Sequence, residues 1–558
     1  MTALPPYVKK EGFQHPSEGK IVGTLTTESL HEGDLIEDNQ QLRRKLTWRQ
    51  VQLMVIGGSI GTALFVLIGT GLMNAGPGSL LLAYIIYGCF MAAVNNCMAE
   101  MSIYMPISGG WIRMASYWVD DALGMALGWN FYFYEAALIP FEISALNLVV
   151  TYWSDKCPPG VICAICIVLY GGINLVAVRG YGESEFWLAI GKLILIFIVF
   201  GFTFVTMVGG NPQHDAYGFR YWKNPGAFAE HLSTGDLGRF EGFLAGLWNA
   251  AFLIVGPEYC TMLAAEVRSP RRTLKKAFKT LYWRFALFFI GGSLACGIVI
   301  PYNDPTLVGI NSGTTSGAGT GAASPYVIAM QNMGITVLPD IFCALLLTSI
   351  FSAGNSYVYC ATRTLYSLSL DGHAPKFFRK LTRWGVPIYC FGLTMIFPLL
   401  SLLTLGNSAG QVVNWLANLV TAGQLIDFIG MCIVYIFFHR AMKAQNFDRN
   451  RLPYKGYLQP FCAWLGLVSM TVVVACYGYS VFLPGNFTVG DFFIYYCMVF
   501  VAIGLYLFWK VFKRTKVVPA LEVDLVWEAP IIDAYEEQLV DDDPSFRSEI
   551  RKLLHLRN

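Results

Sequence analysis

Five ionisable side chains, Glu135, Glu142, Lys192, Glu258 and Asp427, sit inside long apolar runs of this chain. An ionisable group deep in a bilayer is costly, so it normally faces a cavity or a partner. Desolvation disfavours its charged form, which fits it to bind and release a proton. The other reading is a static ion pair holding helices together. Glu142, Lys192 and Glu258 lie deepest in their runs, whereas Glu100 and Arg363 lie nearer the ends, where pairing or snorkelling is expected. Two of the runs also carry helix-breaking clusters, Ile56-Gly57-Gly58-Ser59-Ile60-Gly61-Thr62 and Val255-Gly256-Pro257-Glu258. Glycine lowers the cost of unwinding and proline removes a backbone donor. Lipid tolerates such backbone only where it is buried in protein or lines a cavity. Freed N–H groups in the first cluster suit a carboxylate. Freed carbonyls and the negative end of a half-helix in the second suit an ammonium, so together they make a receptor for a zwitterion. Gly57 and Gly61 also form a small-xxx-small helix-packing pattern; the matching break at Gly256-Pro257-Glu258 favours a site.

The elements that must position these groups follow from composition. Of 558 residues, 55% are hydrophobic and 14% are charged, against about 25% charged in a soluble domain. Mean hydropathy is +0.49, and a soluble protein of this make-up would expose aggregating apolar patches. A formal charge of +2 leaves no basic excess for nucleic acid. Most of the fourteen cysteines lie inside apolar runs, such as Cys163, Cys166, Cys296 and Cys360, and read as small core residues. Runs of about 20 apolar residues recur twelve times, near 51–73, 79–105, 122–151, 161–178, 185–208, 243–264, 283–300, 337–369, 388–406, 412–438, 459–483 and 490–511. The chain is therefore read as an all-α polytopic membrane protein: a cytoplasmic tail at 1–45, a twelve-helix domain at 46–511 and an acidic cytoplasmic tail at 512–558. No cleaved signal peptide is expected in 1–45, so the first span directs insertion. The two broken runs stand five spans apart, as inverted 5+5 repeats of a secondary transporter would place them.

Lys and Arg set the orientation. Arg43, Arg44, Lys45 and Arg49, the clusters at 268–279, 376–383 and 440–455, and Lys510, Lys513, Arg514 and Lys516 all fall on one side. The other side holds Lys156, Arg220, Lys223 and Arg239. The positive-inside rule then puts both termini in the cytoplasm. The stretch 210–242 and the Gly/Ser/Thr-rich 311–323 face outward. His214 and His231 lack metal-ligand spacing and read as loop histidines. Asn486-Phe487-Thr488 is an outer-side glycosylation sequon close to the bilayer. Asp541-Asp542-Asp543 in the C-terminal tail is either a handle for trafficking or ubiquitination machinery or a solvated end.

At these residues the chain resembles the fungal amino-acid permeases of the amino acid–polyamine–organocation superfamily. The resemblance runs from about Leu46 to Lys510. It is carried by the Ile56–Thr62 motif, Pro106-Ile107-Ser108-Gly109-Gly110, Leu138-Ile139-Pro140-Phe141-Glu142, Arg179-Gly180-Tyr181-Gly182-Glu183-Ser184-Glu185-Phe186, Pro301-Tyr302-Asn303-Asp304, Gly354-Asn355-Ser356 and Asn414-Trp415-Leu416. It implies a LeuT-like fold with broken helices 1 and 6, a multi-pass plasma-membrane location and amino-acid uptake with protons. By it, the substrate carboxylate maps to Gly58, Ser59, Gly61 and Thr62 and the amine to Phe252, Ile254, Gly256 and Glu258. Lys192 maps to the family's span-five lysine, which replaces a sodium ion of sodium-coupled relatives. Glu142 and Glu258 join it as proton-coupling candidates.

The departures are specific. Ala63 stands where many relatives have Gly, Pro257 replaces a small hydroxyl residue, and Ile254 stands where many carry an aromatic gate. Glu135 and Asp427 add carboxylates where uncharged residues are expected, and would select cations if they face the substrate; Phe131, Tyr132 and Tyr134 offer cation–π faces nearby or simple packing. The expected function is proton symport of an amino acid, with protons as coupling ion, no cofactor and no metal. A carrier of cationic amines (basic amino acids, polyamines, a carnitine-like quaternary ammonium) and a nutrient-sensing receptor derived from a permease stay open. No HExxH or Walker motif points to an enzyme.

Overall fold

The computed structural model describes residues 46, 48–154, 156–175, 178–311, 324–382, 385–406 and 409–542. The polar tail 1–45, loop residues 312–323, Arg383 and Asp543 fall outside the described residues. So do the side chains of Arg179 to Ser184 and Phe186.

Helix α1 (Trp48–Ser59) leads through a π-helical turn, Ala63–Leu67, into α2 (Ile68–Tyr104). Then come α3 (Gly110–Trp118), α4 (Asp121–Val150), α5 (Pro159–Leu175) and α6 (Val178–Met207). One-turn α7 (Arg220–Lys223) precedes α8 (Gly235–Leu253), α9 (Pro257–Met262), α10 (Pro270–Arg284) and α11 (Gly291–Val299). Short α12 (Pro305–Asn311) and α13 (Pro325–Asn332) are followed by α14 (Leu338–Leu370) and α15 (Ile388–Thr394), which continues as a 3-10 segment, Phe397–Leu405. The chain closes with α16 (Ala409–Ala444), α17 (Phe461–Cys476), α18 (Val489–Lys513) and α19 (Ala529–Asp542).

Among the described residues, nine helices are long and apolar enough to cross a membrane, and α5 and α17 are shorter apolar helices. The twelve expected runs shrink to nine for two reasons. The first two follow one another without a loop, so that Ala63–Tyr104 counts as one stretch although non-helical backbone at Gly76 divides it into two helices. The runs at 161–178 and 459–483 coil for only 17 and 16 residues, about 25 Å of helix.

The merged stretch is not straight. Gly76 has φ +74° just before Pro77, and a Cβ there would overlap the Ala229 amide. Gly78 N–H donates to the Ala227 carbonyl at 2.7 Å, and Ala229 N–H to the Ala75 carbonyl at 3.0 Å. The loop 227–229 thus repairs the backbone groups that the kink frees, as the 210–242 segment folds onto the kinked beginning of α2.

Helix α4 is the central post, packed against α14 and α16, while α2 packs along α8. Burial is nearly complete on α4, which has no polar face. Peripheral α18 instead shows Phe493, Phe500, Ile503, Leu507, Phe508 and Phe512 on its exposed surface. A large exposed apolar surface on a long helix is the signature of a lipid-facing one.

The charged residues near helix ends are paired. Glu100 is fully buried and accepts from Arg449 Nε at 2.7 Å, Arg449 Nη2 at 2.6 Å and the Gly456 amide at 2.7 Å. Arg363 on α14 donates to Glu266, beyond α9, at 2.9 Å, with both side chains buried. Residues 517–536, assigned from sequence to the tail, pack on the same face. Tyr104 Oη donates to the Leu525 carbonyl at 2.7 Å, Trp118 Nε1 to the Asp524 carbonyl at 3.1 Å, and Trp527 stacks on Tyr117 at 3.9 Å. Arg271 pairs with Asp533 there. All fourteen cysteines are free.

Breaking the Arg363–Glu266 pair from one side leaves a buried charge, which costs about 3–5 kcal/mol. Arg363→Ala is therefore expected to lower the apparent melting temperature of the detergent-solubilised protein sharply. Arg239→Ala, whose partner Asp236 is exposed, is expected to leave it unchanged.

Candidate functional site

Helix α1 stops at Ser59, where Gly57, Gly58 and Gly61 weaken it, and the chain turns helical again at Ala63, first as a π-helical turn and from Ile68 as regular α-helix. The carbonyls of Gly57 and Gly58 lose their helical donors. Lys192 Nζ on α6 donates to the Gly57 carbonyl at 2.5 Å, and Tyr357 Oη on α14 to the Gly58 carbonyl at 3.3 Å. An ammonium at the negative end of a half-helix is electrostatically favoured, and Lys192 is fully buried there. Glu142 on α4 answers the other side of the break. Its carboxylate accepts from the Thr62 hydroxyl and, at 3.5 Å, from the Thr62 amide. A Cβ at Gly61 would overlap the same carboxylate, so glycine there makes the approach possible.

Ser59 Oγ donates back to the Val55 carbonyl at 2.6 Å. The run Gly57-Gly58-Ser59-Ile60-Gly61 fits G-x-S-x-G spacing, yet this hydroxyl is spent on its own helix and is no nucleophile.

The second break is shorter. Helix α8 ends at Leu253, and α9 begins with Pro257 at its first position, where a missing N–H costs nothing. Gly256 between them has φ +152°, and a Cβ would meet the Leu281 side chain at 2.7 Å. Its amide donates to both oxygens of Glu258, at 3.2 and 3.1 Å. Gln424 Nε2 on α16 donates to the Ala251 carbonyl at 2.9 Å.

Between the two breaks lies a small central cavity of about 20 Å³, which Ser59, Gly61, Glu142 and Phe252 line together with Tyr134 and Tyr357. That is space for about one water. A larger cavity of about 300 Å³ opens toward the loops at 231–232 and 479–480, the face expected to lie outside. Its walls carry Asn74, Asn249, Asn414, Asn418 and aromatic side chains. The one titratable imidazole among them, His231, is held below its ordinary range by burial. Phe252 lines both cavities and packs edge-on against Phe141 at 5.3 Å. It is the side chain between them.

The candidates thus divide. Gly58, Ser59, Gly61, Thr62, Phe252, Glu142 and Lys192 gather at the first break. Gly256 and Glu258 form the second, and Ile254 is fully buried without lining either cavity. The span-six aromatic that Ile254 lacks is present two residues earlier, as Phe252. Glu135 is fully buried, lines neither cavity, and among the described residues makes no well-formed hydrogen bond on either oxygen, although the Tyr259 hydroxyl lies near it. It lies within electrostatic reach of Glu258 and Asp427. Asp427 accepts from Asn130 Nδ2 at 2.9 Å. Of the aromatic trio, Tyr134 lines the central cavity, while Tyr132 and Phe131 pack on Trp129 and Trp111. Asn486 is exposed in the turn before α18. No group of three potential metal ligands occurs among the described residues. Sequence reading missed Tyr357, Gln424 and Glu185. The signal was there: each is a polar side chain within or at the edge of an apolar run.

Residues 50–521 match the family model described as "Amino acid permease". The chain belongs to the amino acid permease family. This permease is 46% identical over 483 residues to a general amino acid permease of Saccharomyces cerevisiae, covering 85% of this chain and 80% of that one. It is 38% identical to a proline-specific permease of Emericella nidulans, covering 91% and 92%. It is 36% identical to a dicarboxylic amino acid permease of Saccharomyces cerevisiae, covering 90% and 82%. In structure it resembles a manganese transporter of Eremococcus coleocola, with a TM-score of 0.53 at 14% identity over 88% of this chain and 95% of that one. At that identity the likeness is one of fold alone. Membership makes the permease a multi-pass membrane transporter and not an enzyme.

If Gly61 exists to admit the Glu142 carboxylate to Thr62, then Gly61→Ala and Glu142→Gln disrupt one contact. Each is expected to cut initial uptake at normal surface abundance. The double variant is expected to be no worse than the weaker single one, a non-additive cycle read by radiolabelled uptake.

Proposed function

We propose that the permease imports amino acids across the plasma membrane by proton symport, with both termini cytoplasmic. The observation that carries this reading is the ammonium of Lys192 on the freed Gly57 carbonyl. A fixed cation there stands where a sodium-coupled carrier would need a metal ion. Supporting a LeuT-like arrangement of twelve crossings with 5+5 inverted repeats, Ala63–Tyr104 bends at Gly76 into two spans, and α5 and α17 are read as short ones. The interruptions after Ser59 and Leu253 fall in the first and sixth spans of that count.

In this mechanism the substrate carboxylate takes the Thr62 amide now held by Glu142, and the amine takes carbonyls left free at the end of α8. Two carboxylates cannot share one donor without strong repulsion. Glu142 therefore binds a proton as substrate enters and loses it to the cytoplasm as substrate leaves. Charge reaching the site from the uncharged vestibule passes Phe252, whose displacement opens the central cavity. Substrate drives the cycle only by binding the outward- and inward-open states unequally.

The deciding experiment is competitive uptake in a permease-deficient fungal cell at two external pH values, with and without an uncoupler. Acid-stimulated, uncoupler-sensitive uptake is expected, and Lys192→Met is expected to abolish it while sparing surface expression. Uptake insensitive to pH and uncoupler would overturn symport. Failure of any substrate to enter from a correctly localised protein would favour a receptor.

A second reading, a carrier of cationic amines, is favoured by the unpaired buried carboxylate of Glu135 near Glu258 and Asp427. Glu135→Gln is expected to weaken uptake of lysine or spermidine at least threefold more than that of neutral amino acids. Equal effects would return Glu135 to a packing role.

A further inference from the structure

Glu185, at the start of the apolar stretch of α6, belongs to no part of the mechanism above, yet it is fully buried. Its carboxylate lies against Gly57 so closely that a Cβ on that glycine would overlap it. Lys192 holds the same glycine by its carbonyl. The two side chains are seven residues apart, two turns of one helix face. Span five therefore grips the end of α1 with an acid and a base, one on each side of Gly57.

The hydrogen-bond donors to the acid are uncharged. Ser352 Oγ donates to it, and Asn355 Nδ2 donates at 3.4 Å, both from α14. Asn355 is itself fixed by Asn174 on α5, whose Nδ2 donates to Asn355 Oδ1 at 2.8 Å. The Tyr170 hydroxyl on α5 is within electrostatic reach of both Glu185 and Glu142. Among the described residues, the cation within reach of Glu185 is Lys192, and the carboxylates within reach of Lys192 are Glu185 and Glu142.

We propose that Glu185 is the positioning residue for Lys192, the standing counter-charge that keeps its ammonium protonated and docked on the Gly57 carbonyl. A buried ammonium needs compensation beyond one carbonyl and a helix end. Glu142 provides it only until it takes up a proton with substrate. Glu185 takes its donors from Ser352 and Asn355 rather than from Thr62, so it is the counter-charge that this step leaves undisturbed. The end of α1 therefore stays held while the site is loaded. This inference rests on the symport reading above.

Glu185→Gln preserves size and hydrogen bonding but removes the charge, and Glu185→Asp keeps it. The test is the pH profile of initial uptake, normalised to surface abundance. Without the acid, Lys192 needs a higher proton concentration to stay charged. The Gln variant is expected to shift the half-maximal point of uptake toward acid by about one pH unit, with substrate KM changed less than threefold. The Asp variant is expected to restore the wild-type profile. An unshifted profile with only a lower maximal rate would reduce Glu185 to packing and overturn the inference. A wild type without acid stimulation would instead sink the symport reading, so the two failures are distinct. Should the Gln variant not reach the surface, thermal stability of the purified protein decides. Lys192→Met leaves Glu185 buried without its cation, so adding Glu185→Gln is expected to raise the melting temperature of that variant. A further fall, equal to the sum of the single effects, would overturn the inference.

Discussion

Every backbone donor and acceptor inside a bilayer must find a partner within the protein. The site exists because two helices violate continuity and the fold then has to repair the violation. At the first break the repair is made by charges: Lys192 on Gly57, Glu142 on Thr62, with Tyr357 on Gly58. At the second it is made by Glu258 on Gly256 and Gln424 on Ala251. A repair made by an ionisable side chain differs from one made by another backbone group, because its strength depends on a proton. In the proposed symport, that dependence ties a structural necessity to the transport cycle.

The rest of the architecture serves these repairs. Helices α4, α6, α14 and α16 supply the partners, and α4 is buried nearly throughout because it packs between α14 and α16. Buried charges near the helix ends are held in fixed pairs, such as Glu100 with Arg449 and Glu266 with Arg363. These pairs lie toward the face where the 517–536 segment is packed. The uncharged vestibule and the near-filled central cavity lie on opposite sides of one partly buried side chain, Phe252. The conformation is thus closed around its own carboxylate, with Glu142 holding the Thr62 donors that the proposed mechanism assigns to substrate.

The fold class and the break positions were legible because they rest on local properties. Apolar run length fixes what can cross a bilayer, and Gly and Pro clusters mark where a helix cannot continue. Lys192, Glu142 and Glu258 were legible as well, since a charge inside an apolar run is conspicuous however the chain folds. Boundaries were less so. Gly76 and Pro77 separate the first two runs by a kink rather than a loop, because loop 227–229 supplies the missing bonds from more than a hundred residues away. Likewise the tail boundary near 511 reflects where hydropathy falls, whereas Trp527 finds a stacking partner in Tyr117.

By itself the sequence determined a membrane-embedded helical chain with two weakened helices and a handful of buried charges. The tertiary structure alone decided which charge meets which break. Glu142 and Glu135 lie on the same helix seven residues apart, one bonded to Thr62 and the other, among the described residues, making no well-formed hydrogen bond. Ile254 and Phe252 are two residues apart, and Phe252 faces the cavities. Periodicity can place residues on a common helix face, but it cannot say what lies opposite. That depends on how neighbouring helices are rotated and stacked, which is a property of contacts between residues far apart in the chain.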